Sequence, residues 1–117
     1  MSRVSIQDNN LIITMQGIRK VLSLKSELSI PLSNVVGVTA DPAIGKEFLK
    51  GWRVGTNVGF YSGGTFHKDG NKAFYDLARK EDAVMITLKD EDLDTLIIGV
   101  EDPNATVEYI EKALKQN

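Results

Sequence analysis

Two runs near the C-terminal end, "AVMITL" at 83–88 and "TLIIGV" at 95–100, are dense in β-branched and aliphatic residues and flank the acidic stretch Lys89–Asp94. Side chains of this kind suit a pleated, half-buried surface, and a short polar connection between two such runs reads as a hairpin. The pair commits the second half of the chain to a sheet with at least one covered face. A cover follows directly in the sequence. Asp102 is a natural N-cap, Pro103 suits the first helical position, and Val107, Ile110, Ala113 and Leu114 recur at helical spacing. One amphipathic helix is therefore expected over about 102–116, with a single apolar stripe to lay on the sheet.

The first half reads as further strands. Arg3–Gln7 alternates, Asp8-Asn9-Asn10 supplies turn chemistry, and Leu11–Gln16 returns as the second arm of a tight hairpin. Val21, Leu22 and Leu24 form another candidate strand, followed by Leu28 and Ile30. Pro31 cannot donate to a ladder, which places it at a strand start, an edge or a bend. Asn34–Ala40 is valine-rich, and its "VVGVTA" predicts a strand buried on both faces, with Gly37 marking a bulge or close packing. Asp41-Pro42 ends that strand, and Ala43–Leu49 reads as one helical turn or an irregular crossover.

With 117 residues and no cysteine, the chain is expected to be one domain, residues 1–117, without disulfides or thiolate metal sites. No apolar run approaches the roughly 20 residues of a membrane span, and the N-terminus lacks a signal-peptide core. The expectation is a soluble, cytoplasmic protein. A net charge of −2 does not suggest a nucleic-acid partner, but its distribution is uneven: residues 46–72 sum to +3 and residues 73–117 to −6.

Glycine stands at 51, 55, 59, 63, 64 and 70 within "GWRVGTNVGFYSGGTFHKDG". A Walker loop would need GxxxxGK and a hydroxyl residue before a helix, and a dinucleotide loop would need GxGxxG between strand and helix. Neither string occurs. Val54, Thr56 and Val58 between the glycines favour extended chain over a GxxxG helix contact. The glycines then mark places where backbone bends or passes close to backbone.

Catalysis finds little footing. His67 is the one histidine, with no second His or Cys to complete a metal site. The carboxylates at 90, 91, 92 and 94 lack the calcium-loop pattern, and read as a turn that repels edge-to-edge aggregation. Serines 23, 26, 29, 33 and 62 have no nucleophile-elbow context. A non-enzymatic protein without metal or cofactor is expected.

The order of these features resembles the bacterial pleckstrin-homology-like domains. The matching stretches are "ADP" at 40–42, "GWRVGT" at 51–56, "SGGTF" at 62–66, the strand pair, and "EDPNATVEYI" at 101–110. The resemblance implies an α+β, mainly β fold: a bent antiparallel barrel of about seven strands, capped by one C-terminal helix. It also implies a binding scaffold. The inositol-phosphate site of some such domains does not transfer, because the first strand–strand loop here is Asp8-Asn9-Asn10 and not basic.

The functional expectation is a protein-interaction module, with self-association through sheet edges as one mode and peripheral binding to anionic lipid or another anionic ligand as the alternative. A membrane surface is the less favoured partner. The candidate contact residues lie on the 46–72 rim: Lys50 and Arg53 for charge, Trp52 as anchor, Lys68 and Lys72 as support.

Overall fold

The computed structural model of the chain describes residues 2–16, 27–40, 56–57, 61–68, 70–78 and 81–116. The expected strand around residues 21–24, the segment 43–49 and the glycine-rich residues 51–55 and 58–60 lie outside the described residues. Nine strands are described: β1 (Arg3–Gln7), β2 (Asn10–Thr14), β3 (Glu27–Pro31), β4 (Val35–Ala40), β5 (Thr56–Asn57), β6 (Tyr61–Lys68), β7 (Asn71–Ala78), β8 (Asp82–Leu88) and β9 (Thr95–Val100). A 3-10 turn at Leu32–Asn34 joins β3 to β4, and helix α1 (Pro103–Lys115) ends the chain.

The strands form two sheets. The first has the order β1-β2-β3 and is antiparallel throughout. Its first hairpin turns through Asp8 and Asn9, whose φ angles of 52° and 64° are those a two-residue hairpin turn demands. The second sheet runs β4-β8-β9-β7-β6, with the two-residue β5 added outside β6. The β8–β9 hairpin pairs as its sequence predicts, from Asp82 opposite Val100 to Thr87 opposite Thr95. Gly64 and Gly70 take φ angles of 93° and 83°, so these two glycines do turn the backbone where a side chain would strain it.

Three expectations are corrected. The sheets are not antiparallel throughout: β7 and β9 are parallel, Ala73 opposite Thr95 and Asp76 opposite Ile98. The parallel sense follows from direction, because β9 runs antiparallel to β8 and β8 runs opposite to β7. The interior place follows from the burial of β9 at every residue from Leu96 to Val100. A strand apolar on both sides needs an interior position, and insertion between β8 and β7 supplies one. The "VVGVTA" strand is likewise not buried on both faces. The register shifts between Val35 and Gly37, and the bulge turns Val36 outward until it is 60 % exposed. Among the described residues the strands make two sheets and not one closed barrel.

The main core lies between the sheets. Leu11, Ile13, Leu28 and Ile30 face Phe74, Val84, Ile86, Leu96 and Ile98, and Ile110 of α1 enters from the side. Alternation explains the first sheet, since in β3 Leu28 and Ile30 are buried while Glu27, Ser29 and Pro31 are exposed. A second cluster on the opposite face of the larger sheet gathers Phe66, Ala73, Tyr75, Ala83 and Ile97. Phe66 and Tyr75 meet edge to face there, with ring centroids 5.0 Å apart.

Helix α1 is set down by its start. The Asp102 side chain accepts from the Ala105 N–H at 3.1 Å, and Pro103 occupies the first turn where its missing N–H is harmless. Ile110 is fully buried, with Val107, Ala113 and Leu114 packed around it. Burial of that one isoleucine is worth about 1.5–3 kcal/mol.

Gly99 is required on β9 for a steric reason. A Cβ there would run into Glu81 Oε1 and lie 2.9 Å from Glu81 Cβ. Glu81 cannot simply move, because Oε1 accepts from the Ala78 N–H at 2.8 Å. Gly99→Ala is expected to cost about 1–3 kcal/mol in urea unfolding. Combined with Glu81→Ala, the loss should be smaller than the sum of the two single losses. Strict additivity would remove Glu81 as the cause.

Candidate functional site

The site that the described residues define lies between β1 and α1. In a hairpin closed by a two-residue turn, Gln7 and Asn10 are the first hydrogen-bonded pair, and the ladder then uses every second residue. Arg3, Ser5 and Gln7 therefore bond to β2. Ser2, Val4 and Ile6 send their N–H and C=O groups to the outer edge, while the side chains of Val4 and Ile6 pack against the core.

That edge is secured at two points. The Ser2 N–H donates to the Gly99 carbonyl at 2.8 Å, which joins the start of β1 to the end of β9. The Ile6 N–H donates to the hydroxyl of Tyr109 on α1 at 3.1 Å. Between these points is a groove of about 390 Å3, walled by Ser2, Val4, Val100, Asp102, Thr106 and Tyr109. The Ser2 hydroxyl donates to the carboxylate of Asp76, a fully buried residue on β7, so the end of the groove beside β9 is held by a buried polar contact.

Tyr109 is the ridge of this region. It is 46 % exposed, and it also borders a second depression of about 520 Å3 along the outer face of α1, with Glu108, Glu111, Lys112 and Lys115. A third depression, of about 460 Å3, sits at the other end of the helix between Leu32, Val35, Leu114 and the exposed Val36.

The residues expected from sequence fare differently. Lys50, Trp52 and Arg53 lie outside the described residues. Lys68 ends β6 opposite Asn71, with its side chain outside what is described. Lys72 is engaged internally: its Nζ sits 3.0 Å from Asp92 Oδ1, its N–H donates to Asp94 Oδ2 at 2.8 Å, and its carbonyl accepts from the Asp94 N–H at 2.8 Å. The acidic turn is thus a clasp, tied also to Asn34 through Glu91, and part of the charge of Lys72 is met within the chain. His67 is exposed on β6 opposite Lys72. Among the described residues no group of three or more His, Cys, Asp or Glu is placed to hold a metal, and no helix is long and apolar enough to cross a membrane.

Sequence reasoning missed Tyr109, Ser2 and Asp76. Tyr109 had a signal, as an aromatic lying off the stripe made by Val107, Ile110 and Leu114. Asp76 had one too, as a lone carboxylate within the apolar run "AFYDLA". No family model, no curated protein and no solved structure matches this chain.

Tyr75 tests the second cluster. Its ring is fully buried, its hydroxyl has no hydrogen-bond partner among the described residues, and burial holds its ionisation above the ordinary tyrosine range. Tyr75→Phe keeps the ring and removes the unpaired oxygen, so stability at neutral pH should be unchanged or rise by about 1 kcal/mol. Because the folded hydroxyl ionises later than the unfolded one, its contribution is intact below about pH 10 and is lost as pH climbs through the folded value. From about pH 10 upward the wild type should therefore lose stability more steeply than Tyr75→Phe. Equal slopes in alkaline unfolding curves would contradict this.

Proposed function

We propose that this chain is a non-catalytic binding module, of the pleckstrin-homology-like kind, that engages a protein partner or a second copy of itself. The observation that supports this reading is the flank of α1. The helix covers the core with one stripe and leaves a groove against the outer edge of β1, with Tyr109 half-exposed above it. Exposed aromatic side chains beside a concave, partly apolar wall are the usual anchors of protein interfaces. A mainly β core with a C-terminal helix laid on it is common to this chain and to the scaffold that the sequence resembles, whereas the division into two sheets is not. The parallel β7–β9 pair departs from it.

A photo-reactive residue placed at Ala105, which is exposed and borders the groove, should give discrete adducts in native extract, either with one partner or as a dimer of the chain. The same group at His67 on β6 should give none. Adducts from position 67 only, or none from either position alongside a strict monomer in sedimentation velocity, would end the proposal.

A further inference from the structure

We propose that the outer edge of β1 accepts a short, extended, basic segment of a partner protein as an added strand, and that Tyr109 is the displaceable plug of that site. This rests on the binding-module reading and names its partner chemistry.

Three observations carry it. First, the ladder alternation leaves the edge groups of β1 at Ser2, Val4 and Ile6, and only two of the three N–H groups are satisfied on that side: Ser2 by Gly99 and Ile6 by Tyr109. The Val4 N–H and C=O are the unpaired rungs among the described residues, and Val4 lines the groove. An edge rung of this kind is what strand addition uses.

Second, the bond that closes the edge at Ile6 comes from a side chain and not from a backbone. Tyr109 is 46 % exposed and gives one neutral hydrogen bond of 3.1 Å, so rotation of its side chain costs little and frees the Ile6 N–H for a carbonyl of an incoming strand. Because Tyr109 separates the groove from the depression on the outer helix face, moving it also joins the two.

Third, the walls are acidic on balance. Glu101 and Asp102 stand at the β9 end, Glu108 and Glu111 on the helix, against Lys112 and Lys115 in the last turn. An extended segment lying along β1 would send alternate side chains outward to these carboxylates, and lysine or arginine at those positions would meet opposite charge.

The probe is the blocked pentapeptide Lys-Val-Lys-Val-Lys, with Glu-Val-Glu-Val-Glu as its comparator, titrated into the labelled chain and followed by amide shifts and hydrogen exchange. The lysine peptide should bind saturably and slow exchange of the Val4 amide by about tenfold, while the glutamate peptide leaves it unchanged. Tyr109→Phe, which keeps the ring and frees the Ile6 N–H, should tighten binding by about threefold. Glu101→Lys with Glu108→Lys should weaken it by at least about threefold, and both variants should fold as the wild type does.

The inference is overturned if Val4 stays unprotected at millimolar peptide, if the two peptides act alike, or if protection appears with rising protein concentration and no peptide. The last outcome would make a second copy the occupant. Adducts from position 105 together with an unprotected Val4 would keep the binding module and remove strand addition.

Discussion

Burial of β9 on both faces is the constraint from which the rest of this architecture follows. Leu96, Ile98 and Val100 enter the main core while Ile97 enters the second cluster, so the strand needs neighbours on both edges and cover on both sides. β8 is delivered to one edge by the hairpin. β7 takes the other edge in parallel, a pairing that no local turn can produce and that the burial of β9 favours. Gly99 lets Glu81 lie against the same strand, and the Gly99 carbonyl receives the Ser2 N–H. One strand thus supports the larger sheet and anchors the beginning of the smaller one.

The position of the helix and the shape of its flank follow from that anchor. α1 leaves β9 after two residues, is capped by Asp102, and lays Ile110 into the gap between the sheets. Its path beside β1 is held by Tyr109, which meets the backbone of Ile6 instead of packing into the core. A helix that covered the β1 edge completely would leave no backbone group to offer. Here the edge is closed by the Tyr109 hydroxyl of α1 at one point and by the Gly99 carbonyl of β9 at another, and the space between them is the groove.

Much of the fold was legible because it rests on short-range chemistry. The Asp8-Asn9 hairpin, the β8–β9 pair, the bulge at Gly37 and the helix with its cap all depend on residues within a few positions of one another. The features that escaped depend on residues far apart in the chain. Asp76 reads as one more polar residue until Ser2 arrives from the opposite end of the chain. The contacts of Lys72 with Asp92 and Asp94 likewise join residues distant in the chain. Val36 reads as core because its neighbours do, yet the bulge that Gly37 announces is what turns it to solvent.

The sequence by itself determined the kinds of element, the direction of the first hairpin and the last, and the apolar stripe of the helix, since propensity, capping and periodicity act locally. Only the tertiary structure decided which strand stands between β7 and β8, which carboxylates are engaged, and where an edge of the sheet meets the helix. Those outcomes are settled by the competition of whole surfaces for burial, in which a strand's neighbour is chosen by the area it covers and not by its nearness in the chain. The groove beside Tyr109 belongs to that second group, because none of its walls is complete until β1, β9 and α1 have met.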